Sequence, residues 1–146
     1  MHRVRTERPT PARAAFEYEA EIREFFRVGA VDVPRFDLVL LGMGSDGHTA
    51  SLFPGTVAVA ERERLVVAHW VPRLDSQRIT LTFRVLNAAA VVHFLVAGEE
   101  KAAAVRSVLQ PAPGDTALPA RLVDPTNGRL VWMLDRAAAA RLDRKG

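Results

Sequence analysis

Cysteine is absent from the chain, which excludes a disulfide scaffold, a Cys-ligated zinc site and a thiol nucleophile. Lysine is nearly absent: Lys101 and Lys145 stand against 18 arginines. Guanidinium groups stay charged to very high pH, so a net charge of only +3 is enough to carry the isoelectric point to about 10.1. No run of consecutive basic residues exceeds two, and a nucleic-acid partner is not expected from so dispersed a charge. No apolar run approaches the ~20 residues that a membrane span needs. Residues 1–11 are charged and lack an apolar centre, unlike a signal peptide. These absences predict a soluble cytoplasmic protein with no membrane partner.

What remains is ordinary. Hydrophobic residues make up 49% and charged residues 25% of 146, values of a folded globular chain that exclude disorder, collagen and coiled coil. The length suits one domain. Apolar residues at helical spacing among charges predict a helix over 12–28, stopped by Gly29. The run 36–41 reads as a strand buried on both faces and cut off at Gly42. Further strands are expected at 65–71, 78–83, 91–96 and 130–134. Helices are expected at 49–53, 101–109, 118–122 and 136–142. Strands alternating with helices, most strands continuously apolar, predict an α/β fold with a largely parallel, Rossmann-like sheet flanked by helices.

Gly42-Met43-Gly44-Ser45-Asp46-Gly47 matches the dinucleotide-binding pattern G-x-G-x-x-G and follows a predicted strand. The context argues against that use. Pro54-Gly55 stops any helix within two turns, and Asp46 would set a carboxylate against a pyrophosphate. No nicotinamide or flavin cofactor is therefore expected. The pattern G-x-S-x-G is missing, which argues against Ser45 or Ser51 as a nucleophile. His69 and His93 have no metal-ligand spacing and read as core or sheet-face residues, so no metal is expected.

The stretch Leu41-Gly42-Met43-Gly44-Ser45-Asp46-Gly47-His48-Thr49-Ala50-Ser51-Leu52-Phe53-Pro54-Gly55 closely resembles the signature of 6-phosphogluconolactonases, which share a fold with glucosamine-6-phosphate isomerase/deaminases. Three later blocks resemble that family in order: 71–82, 98–102 and 127–138. The continuation Thr49–Pro54 is like the lactonase branch. The resemblance implies hydrolysis of 6-phospho-D-glucono-1,5-lactone to 6-phospho-D-gluconate in the pentose phosphate pathway, with no cofactor and a small sugar-phosphate lactone as the partner molecule.

A lactone is an ester, so its hydrolysis needs an activated water and a proton for the departing ring oxygen. An imidazole, ordinarily titrating at about 6.5, suits both steps. By resemblance the general base is His48. Asp46, two residues before it, would orient the ring or serve as a turn residue. Gly42, Gly44 and Gly47 let the backbone turn sharply and approach a ligand, and their N–H groups are candidates for stabilising an oxyanion. By resemblance Arg78 binds the substrate phosphate, for which a planar guanidinium is well shaped. Lys101, near a helix start, is a second phosphate candidate and Arg73 a weaker third. Two family features have no counterpart: an early Gly-Gly-Ser/Thr phosphate loop and an Asp-Glu-Arg motif. The expectation is a single partial domain, 1–146, the larger C-terminal part of a longer one. It is then either a lactonase or a non-catalytic remnant that binds sugar phosphates.

Overall fold

The computed structural model describes residues 1–143. Helix α1 spans Pro11–Phe26. The Thr10 side chain caps it by accepting from the Arg13 N–H at 3.2 Å, and Pro11 occupies the first turn, where its missing N–H costs nothing. Arg27 closes it with φ +54°. The strands are β1 (Val39–Leu41), β2 (Val66–Val71), β3 (Ser76–Leu81), β4 (Val91–Val96) and β5 (Arg129–Leu134). Between them lie α2 (Phe83–Leu86) and α3 (Ala102–Leu109). Short 3-10 turns form at Val57–Ala60, Pro72–Leu74, Glu99–Lys101 and Pro119–Leu122.

Strands β1, β4 and β5 form a parallel sheet in the order β1-β4-β5. Its register sets Leu41 beside Phe94 and Phe94 beside Trp132. Leu41, Val92, Phe94 and Val96 point into the main core with Leu86, Val105, Val108 and Ala138, and the Phe94 and Trp132 rings stack with centroids 4.0 Å apart. The fold is thus α/β, with helices packed against a parallel sheet. Strands β2 and β3 do not join that sheet; they make an antiparallel hairpin of their own. The alternation of Thr80 and Thr82 with apolar neighbours reflects this, because each face of the hairpin meets a different layer. Val66, Ala68, Ile79 and Leu81 pack with Ala15 and Ile22 of α1, and the opposite face carries His69, Arg78 and Thr80.

Two expected helices are corrected. Residues 49–53 form a tight turn with a single bridge between Thr49 and Leu52. Ala50, at φ +48°, is left-handed and cannot continue a right-handed helix. Residues 136–142 form successive turns; so short a segment gains little to offset helix nucleation. Strand β1 is shorter than the apolar run 36–41, and α2 was not foreseen.

Glu19 ties α1 to the hairpin. Only 8% exposed, it accepts from the N–H groups of Leu65 (3.0 Å) and Val66 (3.2 Å), from Arg64 Nε (3.1 Å) and from Arg23 Nη2 (3.1 Å). Burial works against its charge, but these donors outweigh burial and hold the carboxyl below the usual Glu range. A depressed folded pKa stabilises the fold above the ordinary Glu value of about 4.3, and the contribution is lost as pH falls below it. Glu19→Ala leaves two buried N–H groups unpaired and is expected to cost about 2–4 kcal/mol at pH 7. Urea unfolding at pH 7 and again near pH 3 checks this, because the difference from the native chain narrows at the lower pH.

Candidate functional site

Parallel pairing places the carboxyl ends of β1, β4 and β5 at one edge of the sheet, the usual location of ligand crevices in such folds. The glycine-rich turn 42–48 leaves β1 at that edge, and the segment leading to Lys101 leaves β4 there.

Within the turn the chain folds back on itself. The Gly44 N–H donates to the His48 carbonyl at 2.9 Å, the Gly47 N–H to the Gly44 carbonyl at 2.9 Å, and the Thr49 hydroxyl to the Gly42 carbonyl at 2.8 Å. The N–H groups of Gly44 and Gly47 are therefore spent inside the loop and do not serve the oxyanion role considered for them. Gly44 instead supplies space: a side chain there would strike His48 and Asp46. Gly47, at φ +75° and pressed against Leu118, gives the left-handed turn that seats the segment ahead of Pro119. Gly42 is exposed and open, which leaves its backbone approachable.

His48 and Asp46 are brought together. His48 Nδ1 donates to Asp46 Oδ1 at 2.6 Å, and the same oxygen accepts the His48 backbone N–H at 3.2 Å. The imidazole stacks on Phe53 with ring centroids 4.1 Å apart, so its plane is fixed on one side by an apolar wall. Asp46 Oδ2 takes the Arg73 guanidinium. Burial raises the cost of the Asp46 charge, yet the His48 ring and backbone donors and the nearby His48 and Arg73 charges hold its carboxyl below the usual Asp range. An ionised Asp46 accepts only, so in the neutral imidazole the ring proton sits on Nδ1 and the Nε2 lone pair is left available. That is the tautomer a general base needs.

The hairpin docks on the turn that follows. Buried His69 donates from Nε2 to the Ser51 carbonyl at 2.8 Å, and Thr80 Oγ1 accepts the Ser51 N–H at 3.1 Å. Arg78 pairs in register with His69 and so lies on this same face. Its Nη1 donates to Ser76 Oγ at 2.6 Å, and it has no carboxylate partner among the described residues. Lys101 is half-buried, with Glu100 at 3.9 Å. Neither cation bonds to the His48–Asp46 pair. Arg73, considered for phosphate, is engaged by Asp46.

Phe53, Arg73 as the partner of Asp46, and Asp135 escaped the reading of the sequence. The Asp135 carboxylate accepts from the Gly98 N–H at 3.1 Å and from the Ala138 N–H at 2.7 Å, and so holds the turn that leads to Lys101. An Asp directly after a strand and three residues before a buried Ala is a capping signal that could have marked it. No cluster of three or more potential metal ligands occurs among the described residues. No helix among them is long and apolar enough to cross a membrane.

Comparison with known proteins bears on the family and the fold. Residues 1–132 match the family model described as glucosamine-6-phosphate isomerases/6-phosphogluconolactonase. The 6-phosphogluconolactonase of Nostoc sp. is 44% identical over 97% of this chain and 58% of that protein. A probable 6-phosphogluconolactonase 1 of Arabidopsis thaliana is 45% identical over 90% of this chain and 53% of its own length. The solved 6-phosphogluconolactonase from Trypanosoma cruzi superposes with a TM-score of 0.79 at 31% identity, covering 91% of this chain and 53% of that one. The chain thus spans just over half the length of these relatives.

Proposed function

The chain belongs to the glucosamine-6-phosphate isomerase/6-phosphogluconolactonase family, and we propose that it carries the water-activating part of a lactonase site acting on 6-phospho-D-glucono-1,5-lactone. The observation that carries this reading is the Asp46–His48 pair, with Nδ1 committed to the carboxylate and Nε2 left as the base. Nε2 takes a proton from water as that water attacks the lactone carbonyl carbon. Asp46 stabilises the imidazolium so formed. The imidazolium then gives its Nε2 proton to the ring oxygen as the C–O bond breaks, which restores the neutral ring and leaves a carboxylic acid that loses its remaining water-derived proton to solvent as 6-phospho-D-gluconate. This is metabolic chemistry of the pentose phosphate pathway and fits a cytoplasmic protein.

Arg78 and Lys101 are the residues assigned to the phosphate. Arg78, without a carboxylate of its own and on the hairpin face that meets the turn after His48, has guanidinium donors left for a substrate oxyanion. Gly42 is the glycine of the turn whose backbone stays approachable. The second reading, a protein that binds sugar phosphate without turning it over, is favoured by the share of its relatives that this chain spans.

Hydrolysis of the lactone above its spontaneous rate, followed by proton release, tests the proposal. Arg78→Gln is expected to raise KM about tenfold or more with a smaller change in kcat, since a charged hydrogen bond contributes roughly 1.5–3 kcal/mol. Tight binding of 6-phosphogluconate with no turnover would favour the second reading. Deamination of glucosamine 6-phosphate would instead assign the isomerase branch.

A further inference from the structure

The strands of the parallel sheet begin at the edge opposite His48, and a six-residue strand sets the two edges about 20 Å apart. The segments that lead into β1, β4 and β5 meet there with α2 and with the segment ahead of β2. Together they enclose a cavity of about 600 Å³, within the size range of small-ligand sites. Three guanidiniums line it: Arg35 ahead of β1, Arg62 ahead of β2 and Arg84 on α2. Each is held by main-chain carbonyls. Arg35 Nη2 donates to the Asn127 carbonyl at 2.7 Å, and Arg62 Nη1 to the carbonyls of Val59 and Glu61, both at 2.9 Å. Arg84 donates to the carbonyls of Glu63 and Val31. None of the three has a carboxylate partner among the described residues. The Glu61 carboxylate shares the wall, but its Oε1 is taken by the N–H groups of Glu63 at 2.6 Å and Arg64 at 3.0 Å.

A carbonyl anchor fixes the direction of a guanidinium without neutralising it. Three like charges set around one cavity repel one another, and an anion from solution relieves that cost. Each guanidinium also keeps donors in reserve: the Nε–H groups of Arg35, Arg62 and Arg84 have no acceptor among the described residues. A planar fork with free N–H groups is shaped for phosphate oxygens. Phe83 adds an apolar patch to the same wall, against which an organic carrier of the phosphate can rest. We infer that this cavity is a second anion site, separate from the one assigned to Arg78 and Lys101, and that it takes a small multivalent phosphate anion of the diphosphate class. The inference rests on the cavity and its uncompensated charges, not on the catalytic reading, and binding tests it without reference to turnover.

The test is calorimetric titration of the full chain with inorganic pyrophosphate, run in parallel on the Arg78→Gln variant so that binding at the catalytic edge is told apart. Saturable binding that survives Arg78→Gln is expected. In that background Arg35→Gln and Arg62→Gln are each expected to weaken it at least tenfold, the usual loss for a charge-assisted hydrogen bond. Arg13→Gln removes the same charge from α1, outside the cavity, and leaves the affinity unchanged. Arg35 and Arg62 are both exposed, so unaltered circular dichroism is expected; should Arg35→Gln unfold, Arg62→Gln decides. A parallel titration with ADP identifies the source: binding as tight as that of pyrophosphate assigns an organic diphosphate, and weaker binding assigns the inorganic ion, each in support of the site. Three results overturn the inference: no saturable binding at millimolar pyrophosphate, binding abolished by Arg78→Gln, or an affinity that Arg13→Gln lowers as much as the cavity variants do.

Discussion

His48→Gln is expected to lower the rate of lactone hydrolysis by about 10²–10⁴-fold, the usual contribution of a positioned acid–base group, with little change in KM. A glutamine amide can fill much of the space beside Phe53 and still donate to Asp46, but it has no lone pair basic enough to take a proton from water. The loss is therefore chemical rather than structural, and unchanged circular dichroism together with retained 6-phosphogluconate binding separates the two. Asp46→Asn tests the partner: the ring loses the anion that fixes its tautomer, and a rate reduction on the order of 10²-fold follows if orientation and charge both matter.

The pH dependence has a definite sign. The Asp46 carboxyl is held below the usual Asp range by its His48 and Arg73 partners. The native state therefore binds fewer protons there than the unfolded chain, and this contribution to stability is complete above the ordinary Asp value of about 3.9 and lost only as pH falls further. Between pH 5 and 8 Asp46 keeps its charge, so it adds no ionisation to the rate profile. An acid-side loss of rate in that range therefore does not come from Asp46. The substrate's phosphate monoester, with a second pKa of about 6, changes charge there as well, and a phosphate-free lactone run in parallel separates the substrate from the enzyme base. A rate that stayed flat from pH 7 to well below 6 would remove His48 from the role.

Much of this was legible from local signals. Thr10-Pro11 and the apolar spacing after it announce α1, because capping and amphipathic burial are properties of neighbouring residues. The apolar runs of β4 and β5 announce buried parallel strands for the same reason. The His48–Asp46 contact is legible too, since two residues in one tight turn can hardly avoid each other. What escaped depends on contacts distant in sequence. Arg73 meets Asp46 only because the hairpin folds over the turn, and nothing near either residue encodes that. The turn at 49–53 is held by the Thr49 hydroxyl reaching back to the Gly42 carbonyl, while Ala50 takes a left-handed conformation that alanine does not choose on its own.

Gly44→Ala is expected to abolish most of the activity while leaving the fold in place. A Cβ at position 44 would lie 2.6 Å from Asp46 Oδ1 and closer still to the His48 ring. Its three nearest neighbours are all side-chain atoms of the pair, so relief has to come from the pair itself. The Gly44 backbone shows no positive φ, so alanine meets no conformational penalty there, and the cost reduces to steric displacement of about 1–3 kcal/mol. Relief by rotating His48 off its carboxylate frees the ring from Asp46 and from Phe53 together, and the rate should fall to within about tenfold of His48→Gln. Two other glycines serve as controls. Gly47→Ala meets both φ +75° and the Leu118 side chain, and so should destabilise the turn more than Gly44→Ala does. Gly42→Ala finds no protein atom nearer than the Leu95 carbonyl oxygen at 4.0 Å and should leave the urea midpoint unchanged. If Gly44→Ala kept full activity with an intact midpoint, the pair would not be the catalytic unit. If Gly42→Ala alone raised KM, the methyl group would be meeting a ligand that passes over that backbone.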